Sequence, residues 1–315
     1  MMTLSKLASL AHVSLSTASK AFSMSSEVNE ETRKMIFALA REHGCFKKFY
    51  NAKYPKLVIA VICPEFRSRY YSSLVSSIQE SLAEKGCEIC VASTDFSQST
   101  LKDLYEYYNN YSTVDGIIMI DCSKEALSEN NVPIVTNRRS KLENATLYPS
   151  GIDLAIDYFL SKGVFDIGFI GEAHTGGKFR DFKKYMSEKN IKFREEHISI
   201  SEKRLEGGGY EAMEELFKRN AVPRAIICAY DCMAIGAMKC IFDKGLKIPE
   251  DVAVIGMNNN RESEFLNPPL SSVGRCVEKM GKELAETMIN NLMGKGSCGT
   301  VIIEPKLILR RSSEI

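Results

Sequence analysis

Thr3-Leu4-Ser5-Lys6-Leu7-Ala8-Ser9-Leu10-Ala11-His12-Val13-Ser14-Leu15-Ser16-Thr17-Ala18-Ser19-Lys20-Ala21-Phe22 reads as two short helices around a tight break. Thr3 is a capping hydroxyl, and Leu4, Leu7, Ala8 and Ala11 recur at helical spacing. His12-Val13-Ser14 interrupts the pattern, and Ser14 caps a second helix from Leu15 to Phe22. Leu15, Ala18, Ala21 and Phe22 are assigned to its apolar face. Ser16, Thr17, Ser19 and Lys20 give the other face short polar groups and one cation, with little bulk to block a close approach. Such a pair can enter a DNA major groove. The same pattern also fits a plain helical hairpin of a larger domain.

A third helix completes the unit. Asn29 caps it, Glu30 and Glu31 occupy the first turn where the helix dipole favours anions, and Gly44 stops it. Met35, Ile36, Leu39 and Ala40 are its expected buried stripe. Charge supports the nucleic-acid reading. Residues 1–56 carry nine Lys/Arg against four Asp/Glu, a net of +5, in a chain whose total is +1. A basic head on a mildly acidic body is the footprint of salt-sensitive DNA affinity.

The rest of the 315 residues is long enough for one or two lobes, and its composition is that of a globular protein. No apolar run has the length of a membrane span and the N-terminus is polar, so a cytoplasmic protein with free thiols is expected. Cys87-Glu88-Ile89-Cys90 has Cys-x-x-Cys spacing but falls in a predicted strand, where residues three apart point to opposite faces; no metal site is read there. No nucleophile–base constellation or P-loop is found, so neither catalysis nor a cofactor is expected. Gly207-Gly208-Gly209 lacks a following Gly-Lys-Ser/Thr and reads as the turn opening a helix over Tyr210–Arg219. From Leu57 onward, apolar runs such as Leu57–Cys63, Gly116–Ile120, Asp166–Ile170, Ala225–Cys228 and Val252–Gly256 alternate with amphipathic stretches. Two such series predict two doubly wound parallel sheets with a ligand cleft between the lobes.

Residues 3–44 resemble the DNA-binding headpiece of the lactose/galactose-repressor family of bacterial transcription regulators. The stretches that carry the likeness are Leu7-Ala8-Ser9-Leu10-Ala11-His12-Val13-Ser14, Ser16-Thr17-Ala18-Ser19-Lys20 and Val28-Asn29-Glu30-Glu31-Thr32-Arg33. The body resembles that family's periplasmic-binding-protein-like core through Val114-Asp115-Gly116-Ile117-Ile118, Ala229–Ala237, Ile248–Gly256 and Pro268-Pro269-Leu270-Ser271-Ser272-Val273. The resemblance implies an all-α helix-turn-helix headpiece (1–46), a hinge (47–56) and an α/β two-lobe core (57–315). The N-lobe is expected at about 57–147 and 277–300, and the C-lobe at about 148–276 and 301–315. It implies that Leu15 and Ser16 meet base edges, with Ser14 capping the reading helix beside them. Thr17, Ser19 and Lys20 would divide between bases and phosphates, and Thr3 and Asn29 would hold phosphates through helix N-termini.

Two regions depart from the family pattern. In the hinge, Lys53 stands for the usual arginine and Tyr54 for the leucine that wedges open the minor groove; a basic aromatic linker is the other reading. Around the effector cleft, Lys178 with Arg180, Tyr230 before Asp231, and Asn258 replace the usual sugar-binding set, and Tyr148 falls where an Asp-Asn pair is common. Tyr70 and Tyr71 suit stacking on a ring, and Arg138 adds positive charge. The expected function is a homodimeric repressor on a pseudo-palindromic operator, controlled by a carbohydrate or related metabolite, anionic ones included. The alternatives are control by a protein partner, or no effector. A solute-binding protein shares the core but not the headpiece. The last strand-like segment, Lys306–Leu309, is followed by no leucine-heptad tail, which favours a dimer.

Overall fold

The computed structural model describes residues 2–50, 56–112, 114–121, 131–137, 150–293 and 303–315. Lys53, Tyr54, Arg138 and Tyr148 lie outside the described residues. The chain forms two compact units, one of Met1–Arg67, Tyr71–Glu143 and Glu278–Ile302, the other of Ser68–Tyr70, Asn144–Val277 and Ile303–Ile315.

The first unit begins with helices α1 (Leu4–Leu10), α2 (Leu15–Phe22), α3 (Glu30–Glu42) and α4 (Phe46–Tyr50). Leu7, Ala8, Ala11, Ala18, Ala21, Phe22, Ile36 and Ala40 are buried among them. Two details differ from the periodicity. Leu15 is 53% exposed and Met35 42%. Phe37 takes the inward place instead, its ring 5.2 Å from Phe22 and 5.0 Å from Phe46. The segment expected to start the hinge is partly headpiece: α4 packs Phe46, Phe49 and Tyr50 onto this core, with Phe46 and Tyr50 stacked at 4.9 Å. Aromatic pairs of this kind add about 0.5–1.5 kcal/mol each beyond area burial. Gly44, at φ +61, supplies the left-handed turn between α3 and α4.

The remainder of this unit is a four-stranded parallel sheet in the order β2-β1-β3-β4: β1 (Leu57–Cys63), β2 (Cys87–Ser93), β3 (Gly116–Met119) and β4 (Ile134–Thr136). The buried β1 and β3 are continuous apolar runs, as a sheet covered on both faces requires. Helix α5 (Arg69–Ala83) follows β1, and α6 (Gln98–Glu106) continues into a π-helical turn, Tyr107–Tyr111. Cys87 is buried and Cys90 half-buried in β2, both as free thiols.

The second unit holds a six-stranded sheet. Its strands are β5 (Ile167–Glu172), β6 (Ile198–Ser201), β7 (Ala225–Cys228), β8 (Ala253–Met257), β9 (Ser271–Gly274) and β10 (Lys306–Ile308), in the order β10-β9-β8-β7-β5-β6. All pairs are parallel except β9–β10, so the doubly wound sheet carries one antiparallel edge strand. Helices α7 (Ile152–Ser161), α8 (Gly176–Glu188), α9 (Leu205–Lys218) and α10 (Asp231–Asp243) cover it; α11 (Val277–Leu292) returns to the first unit, where Gly281 lies against Ser77 of α5.

The triple glycine is not a turn. Helix α9 starts at Leu205, and Gly207, Gly208 and Gly209 lie inside its first turns. A Cβ on Gly209 would stand 1.9 Å from the Met233 carbonyl oxygen, and one on Gly236 of α10 would stand 1.9 Å from that of Glu206. The helices meet backbone to backbone, which only glycine permits. In an ordinary helix interior Gly→Ala gains about 1 kcal/mol. Here the clash is with rigid main chain, so Gly236→Ala is expected to cost at least about 2 kcal/mol through overpacking. Chemical unfolding of the two proteins side by side measures this, and an unchanged or raised midpoint for the variant would refute the close crossing.

Candidate functional site

The helix–turn–helix is capped at all three starts. Thr3 Oγ1 accepts from the Lys6 N–H (3.2 Å), Ser14 Oγ from that of Thr17 (2.9 Å), and Asn29 Oδ1 from that of Thr32 (2.7 Å). Each cap satisfies one of the donors that a helix start leaves open. His12, at φ +51, makes the break between α1 and α2. On α2, Leu15, Ser16 and Ser19 are exposed and Thr17 is half-buried, its hydroxyl 2.7 Å from that of Ser14. Thr3 and Asn29 are exposed as well. Lys20, expected to contact DNA, forms an ion pair with Glu27 in the loop to α3. That loop is fixed from behind: Arg33 Nη2 donates to the carbonyls of Ser25 (2.6 Å) and Val28 (3.0 Å).

In the second unit, several of the expected ligand-facing residues gather where β5, β7 and β8 end. Ligands of open α/β sheets bind at this carboxyl edge. Lys178, in the first turn of α8, is half-buried and donates to the Ala229 carbonyl at 2.6 Å. Tyr230 is buried, and its hydroxyl accepts the N–H of Leu205 at 2.9 Å. This bond anchors the first residue of α9, which adopts φ +58. Burial, with Glu172 nearby, pushes the Tyr230 phenol up to about 12.

Asp231 is fully buried. One carboxylate oxygen accepts from Ser272 Oγ (2.6 Å), the other from the Asn260 N–H (2.6 Å) and Ser263 Oγ (3.1 Å). Its acceptors are thus engaged by protein donors, and its part in the site is to hold the loop after β8. In that loop Asn258 is half-exposed at φ +97 and Asn259 sits at φ +52. Arg180 is exposed on α8. Tyr70 and Tyr71 are half-buried in the first turn of α5, with the Tyr71 ring 6.4 Å from Phe96.

Sequence reasoning missed a buried carboxylate and its half-buried arginine partner at the same edge. Glu172 closes β5 at 2% exposure, and the Arg204 Nε lies 3.5 Å from its Oε1. The Glu172 carboxylate also accepts the His174 N–H at 2.9 Å. The signal was one carboxylate ending the apolar run Ile167–Glu172.

Residues 156–313 match the periplasmic binding protein-like domain family. The chain is 25% identical to the HTH-type transcriptional repressor PurR of Pasteurella multocida, over 99% of this chain and 98% of that protein. The solved lac repressor dimer bound to operator and the anti-inducer ONPF superposes with a TM-score of 0.73 at 20% identity, over 99% of each chain. The transcriptional regulator CelR in its cellobiose complex superposes at 0.69 with 22% identity, covering 99% of this chain and 100% of that one. The chain belongs to the LacI family of DNA-binding transcription regulators. In this LacI-family protein the capped headpiece and the two sheet units follow the expected architecture. Among the described residues, no helix is long and apolar enough to cross a membrane.

Asp231 carries a pH signature. Burial outweighs its three hydrogen bonds and raises the carboxyl from 3.8 to about 6. Between about pH 4 and 6 the folded chain keeps a proton that the unfolded chain releases. The contribution to stability is therefore full below that window and lost as pH rises through it. Asp231→Asn removes the titration, with the amide nitrogen placed toward Ser272, whose hydroxyl can accept. The unfolding midpoint of the parent protein is expected to fall from pH 4 to 6 relative to that of the variant; parallel curves would show that Asp231 does not titrate there.

Proposed function

We propose that this protein is a cytoplasmic, homodimeric, non-enzymatic repressor that reads a pseudo-palindromic operator with α2 of each headpiece. The observation that carries the reading is the helix capped by Ser14, which presents Leu15, Ser16, Thr17 and Ser19 on a largely exposed face. Leu15 supports it most directly: an exposed leucine at a helix start is poorly placed for folding and well placed against a thymine methyl. Thr3 and Asn29 would direct their helix N-termini at phosphates. The packing of α4 supports a headpiece that runs to Tyr50, leaving a hinge that contains Lys53 and Tyr54 for the minor groove.

Selection of bound sequences from a random duplex pool, followed by anisotropy titration, tests this. Leu15→Ala and Ser16→Ala are each expected to weaken operator binding by roughly tenfold or more, the worth of one lost base contact. Both side chains are exposed, so the melting temperature stays the same. No enriched motif, or unchanged affinity in both variants, would defeat the reading.

For control we propose a carbohydrate or related metabolite, anionic ones included, at the carboxyl edge of the second sheet. Lys178, Arg180 and Asn258 would supply donors, with Tyr230 beside them. The relative solved with cellobiose supports a carbohydrate. Arg138, Tyr148, Tyr70 and Tyr71 remain candidate ligand contacts. A specific observation favours the second reading, control by a protein partner or by none: Lys178, Tyr230 and Asp231 are already bonded to protein groups. A thermal-shift panel of sugars, sugar phosphates and nucleobases separates the two. Saturable stabilisation that is lost in Lys178→Ala supports the small ligand. Silence across the panel, with operator binding intact, supports the other.

A further inference from the structure

The positive charge of the head is not where the reading helix is. Residues 1–32 hold Lys6 and Lys20 against Glu27, Glu30 and Glu31, whereas residues 33–56 hold seven Lys/Arg and one acid. Lys20 is the sole cation of α2, and it is paired with Glu27. The pair is on the surface, with the two side chains 43% and 65% exposed. The backbone that carries Glu27 is held in place. The carbonyls on either side of it, Ser25 and Val28, are both clamped by Arg33, and its own N–H donates to Ser25 Oγ at 3.3 Å. A carboxylate has thus been built in beside the one charge that the reading helix can offer DNA.

We infer that Glu27 is a specificity-determining residue of the headpiece, which keeps Lys20 off the phosphates of non-operator DNA. The inference rests on the DNA-binding reading above. An exposed ion pair is worth at most about 1 kcal/mol. A bidentate contact from a lysine to guanine O6 and N7 is worth about 1–3 kcal/mol and therefore opens the pair. A single phosphate contact brings only counterion release, and placing that phosphate beside a neighbouring carboxylate opposes it. Glu27 consequently costs little at the operator and much elsewhere.

The test compares the full-length protein with Glu27→Gln, Lys20→Gln and the double variant, on the selected operator and on a random duplex across a salt series. Glu27→Gln frees one cation for the backbone. Random-duplex affinity is expected to rise about eightfold at 0.1 M salt, with the log–log salt slope steeper by about 0.9. Operator affinity should rise by less than this, about fivefold at most, because an exposed pair is all that is released there. In the Lys20→Gln background the same change should alter neither affinity, since Glu27 acts through Lys20. Equal gains on both duplexes, no change on either, a loss at the operator, or a gain that persists without Lys20 would each overturn the inference. Matching melting curves confirm that folding is not the variable. Failure of the unmodified protein to select any sequence would instead remove the regulator reading beneath it.

Discussion

The second unit is organised around one buried carboxylate. Asp231 opens α10 at the end of β7, and its donors come from the loop after β8, from a short helical turn at Ser263 and from β9. A buried anion without partners costs several kcal/mol, so these segments must stay where they are for the unit to fold. Even the strand beside it is shaped by the group: a Cβ at Gly256 would lie 2.2 Å from Asp231 Oδ1. The left-handed backbones at Asn258 and Asn259 follow from this anchoring. Residues that would meet a ligand are thereby presented by a residue that is itself out of reach.

The neighbouring Tyr230 shows the same logic. Its hydroxyl holds the N–H of Leu205 and so fixes the start of α9. Farther along, Gly209 and Gly236 let α9 and α10 touch through their backbones. The carboxyl edge of the sheet, the start of α8 and the α9–α10 pair are therefore one connected arrangement. Any change in how Lys178 is bonded reaches Ala229, the residue before Tyr230.

What the amino-acid pattern revealed depended on the kind of force involved. The helix–turn–helix and the buried strands were legible because capping and apolar periodicity are local. Strand β6 was not, since Ile-Ser-Ile-Ser is a short alternation with no apolar run. The inward turn of Phe37 in place of Met35 depends on aromatic partners that arrive from α2 and α4. The glycines of α9 read as a turn because the reason for them lies on another helix. Asp231 looked like a ligand contact for a similar reason: its partners are Asn260, Ser263 and Ser272, some 30–40 residues downstream. Glu172 and Arg204 are separated in the same way.

The aromatic packing of α4 also fixes a length. The headpiece core closes at Tyr50 and β1 begins at Leu57. Seven Cα–Cα steps at no more than about 3.5 Å each give the intervening chain a reach of roughly 25 Å. One turn of duplex DNA measures about 34–36 Å. With the body fixed, the head therefore stays within about 25 Å of its point of attachment, less than one turn of duplex. In a dimer the separation of the two attachment points would then bound the half-site spacings that both heads can occupy at once.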